Sequence, residues 1–241
     1  MSNYDTFALF YDALTENVDY EARSAYISGF FLRYGVLPGC SVLDLACGTG
    51  SVTKCLSDMG YKMRGVDLSE EMLTVAKNKC PDTEFFCCDM TEYRSEKQFE
   101  GCVCCLDSIN HLQGIEQVRK CFSTVASNLV SGGIFIFDVN TPYKHRCVLA
   151  DRTFVFDEED FFLSWDNEAV DDCTVRIMID VFCFKGKNYD RLSDEFTETA
   201  YDIETLKKSL DDFEVLGIYD ELTEDEPKED SQRLYFVCKR K

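Results

Sequence analysis

The spacing of apolar and polar residues along the first two thirds of the chain predicts strands that alternate with helices. Val42-Leu43-Asp44-Leu45 is a short apolar run typical of a buried strand. Ser69 precedes two glutamates and then Met72, an arrangement typical of a helix N-cap followed by an apolar helix face. Strands that alternate with helices indicate a parallel sheet built from right-handed crossover units. The predicted strands are 41–45, 62–66, 84–88, 102–106 and 134–139, and the predicted helices are two within 1–35, then 51–59, 69–79 and 115–129.

The pattern changes between Arg152 and Ala200, where helical periodicity gives way to alternating and aromatic-rich runs. Together with a turn signal at Gly186-Lys187-Asn188, these runs predict antiparallel strands inserted into the α/β domain as a lid over the substrate side. A helix at 203–210 and strands at 213–219 and 233–238 close the chain. We therefore expect an α/β domain at 1–151, an inserted β lid at 152–200, and the remainder of the α/β domain at 201–241.

A glycine turn follows the first predicted strand. Gly48 and Gly50 allow the backbone to turn sharply and to approach a ligand closely. Asp44 beside this turn disfavours a dinucleotide pyrophosphate but would favour a ligand with an ammonium group. Asp67 ends the next strand, where an acidic residue can accept hydrogen bonds from both ribose hydroxyls. The turn is not a P-loop, because no Lys-Ser/Thr pair follows the glycines at the required spacing.

The third and fourth strands of the predicted sheet are also followed by acidic residues. Asp89 and Met90 come after the third strand and suit an adenine amine and ring, respectively. Asp107 and His111 come after the fourth. Each carboxylate alone is as readily a cap or loop residue. Four of them at the carboxyl edge of one parallel sheet indicate a binding site for a nucleoside that carries an ammonium group.

Four segments resemble a known family. DLACGTG (44–50), GVDLSEEML (65–73), CDM (88–90) and CLDSINHL (105–112) match, in order and spacing, the cofactor motifs of class I S-adenosylmethionine-dependent methyltransferases. Residues 4–12 and 141–162 are similar to a YqeM-like group typical of low-GC Gram-positive bacteria, so the resemblance covers nearly the whole chain. Ala46 replaces the first glycine of the most familiar motif, which is a common variant.

The resemblance implies a Rossmann-like, seven-stranded mixed sheet with helices on both faces, S-adenosylmethionine as the cofactor, and Tyr11 as a residue that helps to close its pocket. The 1–151 segment is then the S-adenosylmethionine-binding domain. The predicted cofactor-binding residues are Tyr11, Asp44, Ala46, Cys47, Gly48, Gly50, Asp67, Leu68, Met72, Asp89, Met90, Leu106, Asp107 and His111.

Displacement of a sulfonium methyl group depends on alignment and water exclusion more than on a strong acid or base. His111 is the candidate catalytic base if the acceptor must lose a proton, although it is also suited to bind a backbone carbonyl or the adenosine. His145 is a second, less favoured candidate. Asp44 and Ala46 disfavour a nicotinamide-dependent oxidoreductase, whereas a noncatalytic nucleoside-binding module remains open.

Charge and composition restrict the classes of molecule that are expected to accept the methyl group. The net charge of −20 disfavours nucleic acid and anionic membranes, because both are bound through Lys and Arg. Asp107-Ser108-Ile109-Asn110 stands where amino-directed nucleic-acid methyltransferases carry Asn-Pro-Pro-Tyr. We therefore expect a small-molecule methyl acceptor and a protein that is a monomer or a weak homodimer.

The fourteen cysteines lie largely in apolar, strand-like runs, which predicts reduced, buried thiols. Adjacent strand residues face opposite sides of a sheet, so pairs such as Cys104-Cys105 do not suit a metal, and no metal site is expected. We find no run that resembles a signal peptide and none near the roughly 20 apolar residues of a membrane span. A cytoplasmic location is expected.

Overall fold

The computed structural model describes residues 11–159, 161–184 and 186–241. Phe7 and Phe10, whose spacing predicts an amino-terminal helix, lie outside these residues, as do residues 4–10 of the YqeM-like segment. None of the helices in the described ranges is long and apolar enough to cross a membrane. The helices are α1 Tyr11–Leu14, α2 Tyr20–Arg33, α3 Ser51–Asp58, α4 Glu70–Lys79, α5 Ile115–Asn128 and α6 Ile203–Ser209.

Two sheets contain the strands of the described chain. The first has seven strands, and the second has four. The strands are β1 Ser41–Leu45, β2 Lys62–Asp67, β3 Glu84–Cys87, β4 Phe99–Cys104, β5 Leu129–Asn140, β6 Thr153–Asp157, β7 Phe161–Ala169, β8 Thr174–Phe184, β9 Tyr189–Thr199, β10 Phe213–Asp220 and β11 Arg233–Arg240.

The seven-stranded sheet has the order β10-β11-β5-β4-β1-β2-β3. Strands β1 to β5 pair in parallel, whereas β11 runs antiparallel to both β5 and β10. The predicted mixed, seven-stranded α/β fold is therefore confirmed. Strand order reverses at β1, so the loops after β1 and β4 diverge and leave a crevice at the carboxyl edge between them.

Helices cover both faces of this sheet, as predicted. Adjacent residues of β1 point to opposite faces, so Leu43 packs with Phe122 of α5, and Val42 packs with Phe31 of α2 and Leu56 of α3. All five side chains are buried. The sheet thus separates two apolar cores, and only its carboxyl edge is open to a ligand.

Strands β6 to β9 form the second sheet as an antiparallel meander. Its inner face is apolar, since alternate residues of β8 are buried. That face packs against Leu14 of α1 and Met72 of α4, which together with Leu163 and Ile177 form a third apolar cluster. The second sheet is therefore held against the carboxyl edge of the first.

Several predicted boundaries were wrong for a local backbone reason. The strand predicted at 102–106 is β4, and it ends before Leu106 because Leu106 and Asp107 adopt left-handed conformations, with φ of 58° and 54°. Ser131-Gly132-Gly133, between the helix predicted at 115–129 and the strand predicted at 134–139, lies within β5, where Gly132 has a φ of 80°. The predicted N-cap of α4 is confirmed, since Ser69 Oγ accepts a hydrogen bond from Met72 N at 3.2 Å.

The cysteines are free and mostly pack as small apolar residues, as predicted. Cys102 and Cys104 of β4 and Cys121 of α5 are fully buried in the core between that helix and the sheet. Burial raises the pKa of the Cys121 thiol to about 12, which keeps it protonated at neutral pH. Cys87 and Cys147 are exceptions, because both are exposed.

Candidate active site

A cavity of about 240 Å³ lies at the carboxyl edge of the seven-stranded sheet. A smaller one of about 40 Å³ adjoins it and shares several lining residues, among them Tyr11 and Gly48. We call these the larger and the smaller cavity. The larger cavity is lined by Tyr11, Ala46, Gly48, Asp67, Leu68, Met72, Cys88, Asp89, Met90, Leu106, Ser108, His111, Leu112 and Gln117.

The glycine loop between β1 and α3 needs backbone conformations that ordinary residues avoid. Ala46, Gly48 and Gly50 have φ values of 58°, 53° and 76°. Gly50 is the N-cap of α3 and lines neither cavity, so its place in the site is indirect. A side chain there would also meet Ala76 at 3.0 Å.

Asp67 ends β2 and holds this loop in place. Its Oδ2 accepts a hydrogen bond from Gly48 N at 2.7 Å, and its Oδ1 accepts one from Ser69 N at 3.0 Å. Burial raises the pKa of Asp67, although these backbone donors act in the opposite direction. Each carboxylate oxygen keeps a further lone pair with which it can bind a ligand hydroxyl.

Asp44 and Cys47 border the smaller cavity. Asp44 is only 2% exposed, and its carboxylate accepts a hydrogen bond from Thr53 of α3. Burial raises the pKa of Asp44 to about 7. A cation placed in the smaller cavity would reverse this effect, because an opposite charge favours the ionised carboxylate.

The loop after β3 supplies the far end of the larger cavity. Asp89 and Met90 line it together with Leu68 and Met72 from the start of α4. Asp89 Oδ1 accepts a hydrogen bond from Thr91 N at 2.7 Å, which fixes the turn. An apolar wall with one carboxylate at its edge suits a flat heterocycle that carries an amino group.

Asp107 follows β4 and pairs with a cation from β11. It lines neither the larger nor the smaller cavity, because Arg233 of β11 binds its carboxylate at 2.7 Å. Burial opposes ionisation of Asp107, but Arg233 lowers its pKa well below the ordinary value. Asp138 of β5, which is fully buried, also pairs with Arg233 and accepts hydrogen bonds from the N–H groups of Leu106 and Asp107. Asp107 therefore belongs to the support of the site.

His111 lines the larger cavity and meets a carboxylate that sequence reasoning missed. Its Nε2 lies 3.6 Å from Oε1 of Glu198 on β9, and its ring centroid lies 5.2 Å from that of Phe196. His145 is 1% exposed, and its Nε2 lies 3.6 Å from Oε2 of the same Glu198. The period of two along β9 was an available signal, since Glu198 shares a face with Phe196.

Further lining residues were also missed. Cys88, Ser108 and Leu112 lie within the matched motif segments 88–90 and 105–112, although they are not among the predicted cofactor-binding residues. Gln117 of α5 and Tyr20 of α2 have no such signal, because only the tertiary fold brings their helices to the cavities.

One group of side chains in the described chain has a spacing that a metal ion could bridge. Ligand atoms of Asp107, His111 and Glu198 lie within 4.8 Å of one another. Cations already face this group, because Arg233 binds Asp107 and the Lys144 ammonium interacts with both carboxylates. Burial and Arg233 lower the pKa of Lys144. We assign no metal to it.

Comparisons with known proteins agree with this geometry. A family model described as a methyltransferase domain matches residues 42–133. The chain is 31% identical to the putative methyltransferase YqeM of Bacillus subtilis (strain 168), over 98% of this chain and 97% of that protein. It is also 30% identical to a dTDP-3-amino-3,4,6-trideoxy-alpha-D-glucopyranose N,N-dimethyltransferase of Streptomyces venezuelae, over 56% of this chain and 55% of that one.

A solved structure extends the likeness to the whole fold. The S-adenosylmethionine-dependent methyltransferase from Clostridium acetobutylicum ATCC 824 is 32% identical, with a TM-score of 0.88 over 98% of both chains. The cavity lies where the motifs predicted a nucleoside with an ammonium group, and the Bacillus and Clostridium relatives match over nearly the full length of both chains. The chain belongs to the YqeM-like family of S-adenosylmethionine-dependent methyltransferases.

Proposed function

We propose that this methyltransferase transfers the methyl group to a nitrogen atom of a small, polar molecule. The supporting observation is the contact between His111, which lines the larger cavity, and the buried carboxylate of Glu198. A neutral imidazole backed by a carboxylate can take a proton from an ammonium group and hold the resulting charge. An acceptor amine that is protonated at neutral pH needs this step, because an ammonium nitrogen has no lone pair.

For the cofactor, we propose that Asp67 binds the ribose hydroxyls and that Asp89 and Met90 bind the adenine. Asp44 then faces the ammonium end in the smaller cavity, and Tyr11 covers the pocket. The cofactor supplies an electrophilic methyl group on a sulfonium. The protein aligns the acceptor with it and excludes water, which accounts for much of the rate of such reactions.

We propose further that the β6–β9 sheet, within 152–200, is the lid of the acceptor site. Its apolar inner face, which packs on Leu14 and Met72, supports this role, as does the position of Phe196 against His111. An aromatic and aliphatic wall beside one polar cluster is typical of a small-molecule site. The buried charged groups of this wall are the acids Glu198 and Asp194, whereas a phosphate-binding surface would present basic groups.

The partial match to an amino-sugar N,N-dimethyltransferase favours an amine over a hydroxyl acceptor. The net charge of −20 favours a small molecule over nucleic acid. We also propose a cytoplasmic enzyme that is a monomer or a weak homodimer, for which sedimentation at several concentrations is the direct test.

The experiment is a transfer assay with methyl-labelled cofactor and fractionated cell extract. We expect label in the small-molecule fraction, in a compound that a cation exchanger retains at neutral pH and releases at high pH. S-adenosylhomocysteine should suppress the signal. Label in protein or RNA, or in a neutral methyl ether, would refute an amine acceptor.

A further inference from the structure

We propose that Glu198 is a positioning residue for His111. We propose further that a proton between Glu198 and His145 keeps the carboxylate paired, so that His111 stays neutral beside it. In the resting enzyme His145 is an imidazolium paired with Glu198, and His111 is neutral with its proton on Nε2. This inference rests on the proposed function, because it takes His111 as the base that removes the proton from the methyl acceptor. The protonation states themselves do not depend on which acceptor is used.

The geometry puts one carboxylate between two imidazoles. Oε1 of Glu198 lies 3.6 Å from His111 Nε2, and Oε2 lies 3.6 Å from His145 Nε2. Asn140 Nδ2 also donates to Oε2, at 3.3 Å. The Glu198 side chain is 5% exposed, so solvent screens these contacts weakly. The two histidines come from turns after β4 and β5, whereas the carboxylate comes from the inserted sheet.

The backbone around His145 determines where its proton lies. His145 Nδ1 is 2.8 Å from the carbonyl oxygen of Cys173, and a carbonyl only accepts, so Nδ1 carries a hydrogen. In a neutral His145, Nε2 would then turn a lone pair toward the carboxylate of Glu198. Among the described residues, no group lies within hydrogen-bond distance of this nitrogen, and the Glu198 carboxylate at 3.6 Å is the charged group that it meets. Two buried acceptors face each other stably only if a proton lies between them, which makes His145 the cation of the pair.

His111 is in a different position, because it reaches the larger cavity and its partner already has a cation. A hydrogen on Nε2 directed at Glu198 Oε1 leaves the lone pair on Nδ1. When an acceptor ammonium loses its proton, an N–H bond breaks on the acceptor and one forms on Nδ1 of His111. The new imidazolium stays beside Glu198, and the acceptor nitrogen regains the lone pair that attacks the methyl group.

Other charged groups also surround the cluster. The carboxylates of Asp67 and Asp107 interact with His111. The exposed carboxylate of Asp171 interacts with His145, and the ammonium of Lys144 interacts with Glu198. Asp107 is itself paired with the guanidinium of Arg233 from β11.

The test uses the fact that the chain contains two histidines. Protein labelled with ¹⁵N in histidine, with S-adenosylhomocysteine added, gives two imidazole spin systems, assigned with the His111→Gln and His145→Asn variants. At pH 7.5 we expect both nitrogens of one ring, His145, to be protonated, and the second ring to be the neutral Nε2–H tautomer. Two neutral rings in the wild-type protein would overturn the proposal.

Two variants make the assignment causal. In Glu198→Gln, His145 should become neutral with its proton on Nδ1, because a buried imidazolium loses its counter-ion. In His145→Asn, Glu198 has a single imidazole partner, and we expect His111 to become charged at the same pH. Should Glu198→Gln fail to fold, the His145→Asn result still decides the matter. His111 remaining neutral there would contradict the coupling.

Glu195→Gln is the matched control, since Glu195 lies on the opposite face of β9 and is paired with Arg176 at 3.4 Å. It should leave both rings unchanged. One equivalent of Zn²⁺ should likewise leave the wild-type spectrum unchanged. If Zn²⁺ instead shifts both rings, and the shift disappears in Glu198→Gln, the cluster is a metal site and the proton-sharing proposal is refuted.

Discussion

Asp67 Oδ2 accepts a hydrogen bond of 2.7 Å from the backbone N–H of Gly48, which ties the end of β2 to the glycine loop after β1. The two strands are parallel neighbours, with Leu45 opposite Val66, so their carboxyl ends emerge side by side. The carboxylate that we expect to bind the ribose thus also shapes the loop beneath the cofactor. Substitution of Asp67 should therefore change both the contact with the ribose and the shape of this loop.

Asp67→Ala should weaken S-adenosylhomocysteine binding by roughly 2–4 kcal/mol, since charge-assisted hydrogen bonds to the ribose are lost. Isothermal titration calorimetry measures the change in Kd. Asp67→Asn keeps the side-chain size and one acceptor oxygen, so its loss should be smaller. An unchanged Kd in the alanine variant would rule out the ribose role.

Asp44 should make the stability of the cofactor-free enzyme depend on pH. Its folded pKa of about 7 lies above the ordinary 3.8, so between these values the folded state binds more protons than the unfolded state. The Asp44 contribution to stability is therefore full below about pH 4 and decreases as the pH rises toward 7. Urea unfolding should show Asp44→Asn gaining about 2–3 kcal/mol relative to wild type between pH 5 and pH 8.

Adding the cofactor provides a control for the predicted pH dependence of the Asp44 contribution. We expect saturating S-adenosylmethionine to place its ammonium in the smaller cavity, to stabilise the ionised carboxylate and so to flatten this pH-dependent difference. Parallel stability curves for wild type and Asp44→Asn, without cofactor, would contradict the buried-acid interpretation.

Arg233→Met should destabilise the protein by about 3–5 kcal/mol, because it leaves the fully buried Asp138 without its closest cation. The matched variant is Arg33→Met. The Arg33–Glu224 pair is exposed, with 46% and 57% of its side chains accessible, so its loss should destabilise the protein much less than the loss of Arg233. Chemical denaturation at pH 7 measures both, and equal losses would refute the assignment of Arg233 as the buried support.

Phe196→Ala should impair acceptor turnover and spare the cofactor. Phe196 contacts His111 from the inner face of the lid, whereas Phe162 lies on its outer face and is 38% exposed. We expect methyl transfer to fall at least about tenfold in Phe196→Ala, because orientation is lost, and to stay near wild type in Phe162→Ala. Calorimetry should give an unchanged S-adenosylhomocysteine Kd for both. Equal activities would argue against the lid.

Local sequence was sufficient for the α/β core and for most of the cavity wall. The strand at 41–45, the glycine turn after it and the carboxylates at Asp67 and Asp89 depend on neighbours within a few residues. Parallel strands then bring their carboxyl ends to one edge wherever the motif residues lie in the chain. The motif spacing therefore predicted the cofactor and the presence of residues such as Met90 and Leu106 in the cavity wall.

Only the tertiary structure decided the polar groups that meet across long separations. Asp107 has the motif position of a ligand contact, and β11 brings Arg233 into a partly buried ion pair with it. Glu198 lies in a strand with no motif, and it becomes part of the site because the inserted sheet packs on the carboxyl edge beside His111 and His145. Periodicity determines which face a side chain occupies, whereas the partner on that face is set by packing between elements that are distant in the chain.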